Sequence, residues 1–387
     1  MTVVSTTSDE LSDLPQATVP FADLTGMHAP LAARLDAVWQ QTLATSGFIG
    51  GALVDAFEAS WAGYCGRRHA VGVANGTDAI ALALKAFEVG AGDEVLVPAN
   101  TFIASAEGVV MAGATPVFVD VDAQTLLVDV DLLDAAVTAR TVAVLVVHLY
   151  GHIPDMDAIT AFAKRRGLAV IEDAAQAHGA TWNGRPAGSF GAAATFSFYP
   201  GKNLGAFGDG GAVVLDDDAA AARIRSLAFH GRAVEDRYLH PLLGINSRLD
   251  ALQAGILSVK LDHLDEWTAG RRRAADRYLL ALSADAPEIA DAVVRPLAGC
   301  ASAWHLFVVR VADRERVRAE LAEAGIETGI HYPVPCHRQG AFAGGPVQLL
   351  PVAERAAASV LSLPMFPHLS DEQVDRAAAA LISAVRL

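Results

Sequence analysis

One lysine, Lys202, lies in a short glycine-rich loop between two apolar runs, Thr195–Phe198 and Ala212–Leu215. Burial of an ammonium group is costly, so a lysine between two core strands has a lowered pKa. A lysine amine that is neutral near physiological pH can attack a carbonyl carbon and form an imine. Glycines on both sides of Lys202 allow the backbone to approach a bound group closely. Taken alone, however, this loop favours a solvated surface lysine, so the interpretation needs support from other residues.

A carboxylate stands at the end of an earlier apolar run. Leu168–Ile171 is followed directly by Glu172 and Asp173, and Gln176 comes three residues later. A carboxylate at a buried strand end needs hydrogen bonds or a cationic partner. A protonated pyridine nitrogen is such a partner, and the carboxylate then keeps the ring electron-withdrawing while Gln176 reaches a ring hydroxyl. In isolation Asp173 fits a helix cap or a structural ion pair equally well.

Two further strand ends carry groups that suit the rest of such a cofactor. The turn Ala74–Asp78 (ANGTD) follows the first apolar run and opens a helical pattern, so the backbone N–H groups of Gly76 and Thr77 can bind a phosphate. Ser197 can add a hydroxyl from its own strand end. By itself the turn fits an ordinary helix cap by Asn75 or Thr77. It matches neither the G-x-G-x-x-G fingerprint nor, around Lys202, a Walker loop.

An aromatic residue completes the set. Phe102 follows the apolar run Glu94–Val97 and can stack on a flat ring, although alone it fits a core residue better. Weak signals on successive strand ends, in an order that suits one molecule, together predict a pyridoxal phosphate site with Lys202 as the catalytic lysine. His148 and His152 have four-residue spacing but flank a glycine, so we predict no metal site.

The strands and helices that must position these residues follow a repeating pattern in the sequence. Short β-branched runs alternate with helical stretches, which indicates an α/β fold with a mainly parallel seven-stranded sheet and helices on both faces. Ligands of such sheets bind beyond the carboxyl ends of the strands. The predicted strands are His69–Val73, Glu94–Val97, Pro116–Val119, Val142–Val147, Leu168–Ile171, Thr195–Phe198 and Ala212–Leu215.

The chain divides into three predicted parts. Residues 1–18 are expected to form a flexible leader, 19–260 the large cofactor-binding domain, and 261–387 a smaller α+β C-terminal domain. The pattern is helical over 219–260 and again over 262–282. The last part is predicted to contain a strand at 303–311, a helix at 315–324, an extended piece at 327–333 and a final helix from Asp371.

Composition excludes several classes of function. Of the 387 residues, 52% are hydrophobic and 19% charged, so a large core is expected, and the net charge of −15 argues against nucleic acid as a partner. The densest basic run, Arg271–Arg273, is predicted to form a solvated helix face. Three dispersed cysteines indicate no disulfide framework and a cytoplasmic location. No apolar stretch is long enough to cross a membrane.

The motifs resemble the DegT/StrS group of nucleotide-sugar aminotransferases, which have pyridoxal phosphate fold type I. The resemblance covers nearly the whole chain, through NGTDAIALAL, PANTFIASA, EDAAQAHGA, FSFYPGKNLGAFGDGGAVV, GINSRLDALQA and HYPVPCHRQGAF. It implies that Lys202 binds the cofactor covalently and that Asp173, Gln176, Phe102, Gly76, Thr77 and Ser197 hold it. It also implies that Asn246 of a second subunit reaches the phosphate, hence a homodimer with shared active sites, and that glutamate is the amino donor.

The substrate class also comes from this resemblance. The segment His331–Gln339 is similar to members that aminate carbon 3 of a dTDP-linked 3-keto-6-deoxyhexose, although Cys336–Arg338 departs from their pattern. Substrate contacts are expected from Tyr199, Arg248, His331 and Tyr332. A branch that removes a hydroxyl has histidine in place of Lys202 and is disfavoured. A 4-keto-sugar or keto-cyclitol aminotransferase, an aminobenzoate-forming dehydratase and a non-catalytic regulator stay open.

Overall fold

The structure is a computed structural model that describes residues 18–343 and 349–386. All of the predicted leader except residue 18 lies outside the described residues. The strands are β1 His69–Val73, β2 Glu94–Pro98, β3 Thr115–Val119, β4 Thr141–Val147, β5 Ala169–Asp173, β6 Thr181–Trp182, β7 Arg185–Pro186, β8 Ala193–Ser197, β9 Gly211–Leu215, β10 Cys300–Ala301, β11 Phe307–Arg310 and β12 Val360–Leu363.

The helices lie between and after these strands. They are α1 Leu24–His28, α2 Ala32–Thr45, α3 Ala52–Tyr64, α4 Gly76–Ala86, α5 Ile103–Ala112, α6 Val130–Ala136, α7 Met156–Arg166, α8 Asp218–Ala228, α9 Ala251–Leu261, α10 Leu264–Asp285, α11 Pro287–Ala292, α12 Arg314–Glu323, α13 Pro351–Ser359 and α14 Asp371–Arg386. Within residues 18–343 and 349–386, none of them combines the length and the apolar character that a bilayer crossing requires.

Seven strands form the central sheet, in the order β1-β9-β8-β5-β4-β2-β3. β9 runs antiparallel to both of its neighbours, and all other pairs of adjacent strands are parallel. The predicted mainly parallel seven-stranded α/β sheet is therefore confirmed. Because only β9 is reversed, the carboxyl ends of β1, β2, β4, β5 and β8 meet at one edge.

The strands are buried on both faces, which explains their continuous apolar sequences. Successive residues of a strand point to opposite faces. In β4, Ala143, Leu145 and Val147 join one core cluster, while Val144 and Val146 join the other. One cluster packs under α4, α5 and α8, and the other under α3, α7 and α9.

A third core cluster belongs to the C-terminal part of the chain. α10, α12 and α14 pack together there beside the antiparallel pair β11 and β12. Val19 is buried in the same cluster, and its N–H donates to Gly325 O at 2.9 Å. The first described residues therefore lie against the C-terminal part.

One predicted element is wrong. Residues 229–250 are not helical between α8 and α9; Gly231, Pro241 and Gly244 interrupt the stretch, and Gly231 has a positive φ of 71°. The predicted extended piece over 327–333 is not helical, and it pairs with the rest of the chain through one bridge, between Gly329 and Ser362. Pro333 lacks the N–H that a continued ladder requires.

Candidate active site

A cavity of about 540 Å³ opens at the edge where the parallel strands end. Residues that follow β1, β2, β4, β5 and β8 line one side of it. Residues from α10 and from the C-terminal part line the other side, together with Phe21–Leu24 and Met27. Ten of the twelve predicted site residues line this cavity: Gly76, Thr77, Phe102, Asp173, Gln176, Ser197, Tyr199, Lys202, His331 and Tyr332.

Lys202 lies in the loop from β8 to β9, and backbone hydrogen bonds fix this loop. Its own N–H donates to Tyr199 O at 2.8 Å, and Ala206 N–H donates to Phe198 O at 2.7 Å. Burial lowers the pKa of the Lys202 amine from 10.5 to about 8, and the nearby Asp173 carboxylate partly opposes that shift. The amine is thus far easier to deprotonate than a surface lysine, as the sequence predicted.

Asp173 is the last residue of β5, and only 7% of its surface is exposed. Its Oδ2 accepts from Ser105 Oγ at 2.7 Å, and its Oδ1 accepts from Ala175 N–H at 3.2 Å. The Ser105 hydroxyl also contacts Thr101 Oγ1 at 2.7 Å. These donors are neutral, no helix begins directly after Asp173, and no ion pair joins Asp173 to a cation among residues 18–343 and 349–386. Within the described part of the chain, neither a helix cap nor a structural ion pair therefore explains this carboxylate. Its position favours a cationic ligand.

The turn between β1 and α4 has the geometry of an anion site. Asn75 caps α4, because its Oδ1 accepts from Asp78 N–H at 2.8 Å. The N–H groups of Gly76 and Thr77 make no backbone hydrogen bond to a described residue. A Cβ at Gly76 would lie only 2.7 Å from Ser197 Cβ, so glycine allows β8 to approach this turn. A phosphate fits between these N–H groups and the Ser197 hydroxyl.

The remaining predicted residues form the rim of the cavity. Phe102 is 52% exposed, so it is not a core residue, and its ring lies 5.4 Å from that of Tyr332. Tyr199 is exposed, and His331 Nδ1 contacts Ser362 Oγ at 2.9 Å. Burial lowers the pKa of His331 to about 4, so its imidazole is neutral.

The side chain of Gln176 has a fixed orientation. Its Oε1 accepts from Tyr150 N–H at 2.6 Å, and its Nε2 donates to Tyr332 Oη at 3.1 Å. One N–H of Nε2 therefore stays available for a ligand oxygen in the cavity.

Asn246 and Arg248 do not reach this cavity. Asn246 is exposed and forms a backbone bridge with Phe229. The Arg248 guanidinium stacks on the ring of Phe229 at 4.5 Å. The structure therefore does not unite these two residues with the other ten within one chain.

The prediction of a solvated face for Arg271–Arg273 is wrong for Arg271. Arg271 is buried and lines the cavity, whereas Arg272 is half-buried and Arg273 is exposed. His305 also lines the cavity and was missed. No local motif marks either residue, because both lie in the C-terminal part, far along the chain from the strand ends.

The two histidines of the HLYGH motif have separate partners. His148 Nε2 contacts Glu172 Oε2 at 2.8 Å, and His152 Nδ1 contacts Ser302 Oγ at 2.7 Å. Among the described residues, no group of three or more His, Cys, Asp or Glu side chains has an arrangement suited to a metal ion.

Sequence comparison identifies relatives over almost the full chain. The sequence profile of the DegT/DnrJ/EryC1/StrS aminotransferase family matches residues 31–382. The erythromycin biosynthesis sensory transduction protein EryC1 of Saccharopolyspora erythraea is 47% identical, over 94% of this chain and 98% of that protein. The dTDP-3-amino-3,4,6-trideoxy-alpha-D-glucose transaminase of Streptomyces venezuelae is 46% identical, over 95% of both chains.

One relative is named for a UDP-linked sugar. The UDP-N-acetyl-3-dehydro-alpha-D-glucosamine 3-aminotransferase of Acidithiobacillus ferrooxidans is 46% identical, over 94% of this chain and 97% of that protein.

Structure comparison agrees with the sequence. The crystal structure of S. venezuelae DesV, described as a complex with a ketimine intermediate, superposes with a TM-score of 0.91 at 44% identity, over 96% of this chain and all of that chain. The residues at the strand ends fit pyridoxal phosphate: an amine, an opposing carboxylate, an exposed aromatic ring and an anion site. The chain therefore belongs to the DegT/DnrJ/EryC1/StrS aminotransferase family and is a pyridoxal phosphate-dependent aminotransferase of fold type I.

Proposed function

We propose that this aminotransferase transfers the amino group of glutamate to carbon 3 of a dTDP-linked 3-keto-6-deoxyhexose. The observation that carries the chemistry is the pairing of Lys202 and Asp173 in one cavity. An amine of lowered pKa and a buried carboxylate with only neutral hydrogen-bond donors are what the ring of pyridoxal phosphate requires at its two ends.

Each cofactor group has a proposed partner in the cavity. Lys202 would bind the aldehyde carbon, Asp173 would contact the pyridine nitrogen and Gln176 Nε2 would donate to the ring oxygen. Phe102 would cover one face of the ring. The phosphate would be bound by the N–H groups of Gly76 and Thr77 and by the Ser197 hydroxyl, since all three residues line the cavity and the first two begin α4.

Lys202 Nζ is the group of the chain that transfers protons in the proposed reaction. Bound pyridoxal phosphate supplies an electron sink for the carbon that gains or loses nitrogen. In the first half-reaction, neutral Nζ takes the α-proton of the amino donor. In the second, Nζ delivers a proton to the sugar carbon that receives the amino group. Asp173 would stabilise a positive charge on the ring nitrogen of the bound cofactor, because its buried carboxylate favours a cationic partner.

The preference for carbon 3 and for dTDP rests on the segment that begins at His331 and on named relatives. His331 and Tyr332 stand at the cavity rim beside Phe102, where a sugar ring would enter. Tyr150 Oη donates to His331 O at 2.7 Å and so supports this segment from below. Relatives at 46% identity are named for 3-amino sugars on either dTDP or UDP. Their names therefore support amination at carbon 3 more broadly than they support dTDP as the linked nucleotide.

The substrate assignment is tested with purified protein, glutamate and a panel of 3-keto and 4-keto hexoses linked to dTDP, UDP or GDP. We expect formation of 2-oxoglutarate with the highest kcat/KM for the dTDP-linked 3-keto-6-deoxyhexose. Lys202→Ala is the control and should lose both turnover and covalent cofactor absorbance. Preferential turnover of a 4-keto sugar would contradict the proposed position of amination.

We further propose a homodimer in which Asn246 and Arg248 serve the active site of the second subunit. Both residues lie outside the cavity of their own chain. Large apolar side chains are exposed elsewhere on the described surface, including Trp39, Phe48 and Phe207. Exposed apolar side chains of this size are compatible with a surface that a second subunit covers.

Mixed dimers test this sharing. Lys202→Ala and Asn246→Ala proteins, each weak alone, are unfolded together, refolded and assayed. If sites are shared, half of the dimers are mixed and each has one intact site, so about a quarter of wild-type activity should return. No recovery, together with a monomeric mass in solution, would contradict the proposal.

A non-catalytic regulator is the alternative from another class, because the relative EryC1 is named as a sensory transduction protein. A keto-cyclitol acceptor is the alternative within the same chemistry. The substrate panel with a keto-cyclitol added separates them: a regulator turns over none of the acceptors, and a cyclitol enzyme forms 2-oxoglutarate continuously with the keto-cyclitol alone. We also propose residues 19–260 and 261–387 as the large and small domains; the cytoplasmic location stays a prediction.

A further inference from the structure

Arg271 is a buried guanidinium at the wall of the active-site cavity. It lies on α10, and only 5% of its surface is exposed. Gly270 allows this turn of the helix to approach the backbone, because a Cβ there would lie 2.1 Å from Pro367 O. Arg271 Nη1 donates to Met365 O at 3.0 Å, to Trp304 O at 3.3 Å and to His305 O at 3.4 Å.

Two of its three nitrogen atoms make no hydrogen bond to a described residue. Nε is buried without a partner, and no bond joins Nη2 to residues 18–343 or 349–386. Within those ranges no carboxylate forms an ion pair with Arg271. A buried charge that lacks both a counter-ion and part of its hydrogen bonds is costly, which points to an anionic ligand.

The two histidines nearest to Arg271 add no charge of their own. Burial and the nearby cations Lys202 and Arg271 lower the pKa of His305 well below its ordinary value. The same causes lower the pKa of His178 to about 3. Both imidazoles are neutral, so they neither repel nor replace an anion at Arg271. Three carboxylates line the cavity, those of Asp23, Asp173 and Asp209, and none of them forms an ion pair with Arg271. Asp173 acts on Lys202.

Arg271 also lies near the reacting lysine. Asn203, the residue directly after Lys202, donates from Nδ2 to Ala303 O at 3.0 Å, and its Oδ1 contacts His305 Nδ1 at 3.0 Å. The carbonyl of the same His305 accepts from Arg271. A short chain of contacts therefore connects the guanidinium to the lysine loop.

We propose that Arg271 binds a carboxylate of the amino donor. The inference rests on the proposed aminotransferase function and adds the residue that recognises the donor. An α-carboxylate is bonded directly to the carbon that reacts, whereas the sugar ring separates the diphosphate of a nucleotide sugar from its reacting carbon. A deep cation beside the lysine loop therefore suits an amino acid better than a diphosphate. Planar guanidinium and carboxylate groups form paired, charge-assisted hydrogen bonds.

Two measurements on the holoenzyme test this. The first is the calorimetric affinity of glutarate, which has both carboxylates of glutamate but no amino group. The second is the rate of each half-reaction, read from the cofactor absorbance with glutamate alone and then with the keto sugar alone. Loss of charge in Arg271→Met should weaken glutarate binding about 10- to 100-fold and slow the glutamate half-reaction to a similar extent. The sugar half-reaction should change far less.

Arg272→Met is the matched control. Arg272, on the same helix, also donates to three backbone carbonyls, those of Gly179, Ala301 and Ser302, but it does not line the cavity. It should leave glutarate affinity within about twofold of wild type. Arg271→Lys keeps the charge and loses the paired geometry, so it should show a smaller loss in the same direction, and it serves as the test if Arg271→Met does not fold.

A second amino donor, alanine, shows which carboxylate of glutamate Arg271 binds. If alanine and glutamate lose rate equally in Arg271→Met, the guanidinium binds the α-carboxylate; a loss confined to glutamate assigns the side-chain carboxylate. Unchanged glutarate affinity, or equal losses in both half-reactions, would overturn the proposal and leave Arg271 a structural role. Failure of wild-type protein to react with any amino acid would instead refute the proposed function.

Discussion

The amine of Lys202 should react at a pH where an ordinary lysine is almost entirely protonated. Burial lowers its pKa from 10.5 to about 8. At pH 7.5 about 24% of such amines are neutral, compared with about 0.1% of amines with the ordinary value, a difference of roughly 240-fold. Covalent attachment of pyridoxal phosphate requires the neutral amine, so the larger neutral fraction favours attachment near neutral pH and sets the pH at which the attachment rate levels off.

The assay is the absorbance change when pyridoxal phosphate is added to cofactor-free protein between pH 6 and 10. We expect the rate to rise about tenfold per pH unit and to level off near pH 8. N-acetyl-lysine amide, measured in parallel, gives the profile of an exposed amine. A protein rate that rises without a break to pH 10 would refute the assigned environment of Lys202.

The Asp173 carboxylate shifts the pKa of Lys202 in the direction opposite to burial, so its removal provides an independent test. Its negative charge favours the protonated amine and so raises the pKa of Lys202. Asp173→Asn should therefore move the break in the profile to lower pH, even though cofactor affinity also falls. Asp209→Asn, which removes an exposed carboxylate from the same cavity, is the control and should leave the break in place. A shift to higher pH in Asp173→Asn would show that the two groups do not interact as described.

Two substitutions test the supports of the site. Gly76→Ala places a Cβ 2.7 Å from Ser197 Cβ and should lower the free energy of unfolding by about 1–3 kcal/mol in urea titration. The control Gly63→Ala meets open space and should be neutral or stabilising by up to about 1 kcal/mol, so equal effects would contradict the crowding. Ser105→Ala removes the 2.7 Å hydrogen bond to Asp173 and should cost about 1–3 kcal/mol in the same titration, and an unchanged value would show that the bond does not stabilise the buried carboxylate.

The sheet was predictable because its strands obey a simple physical rule. A parallel strand covered on both faces is apolar at every position, so runs such as Val142–Val147 are conspicuous, and β4 extends that run by one residue. The same rule placed Asp173, Ser197 and Lys202 at the ends of strands. The order of the strands and the reversal of β9 were not predictable, because strand pairing depends on contacts between residues distant in sequence.

The irregular part of the chain was harder to predict. The stretch from 229 to 250 contains apolar residues at helical spacing, yet its backbone turns are set by glycine and proline and by contacts with α8. Ile245 N–H donates to Leu227 O at 2.7 Å, and His230 N–H donates to Ile245 O at 2.8 Å. A segment that folds back on itself in this way has no helix or strand periodicity in its sequence.

The basic run Arg271–Arg273 shows most clearly what the sequence could not predict. Each residue of a helix is rotated about 100° from the one before it, so three identical side chains face three different environments. Here the environments are the cavity wall, the carbonyls near Ser302, and solvent. Which arginine faces the cavity depends on the approach of α10 to Pro367, and a glycine at position 270 permits that approach. The residue proposed to bind the donor is therefore selected by packing between segments almost a hundred residues apart, and a basic run read alone indicates only a solvated face.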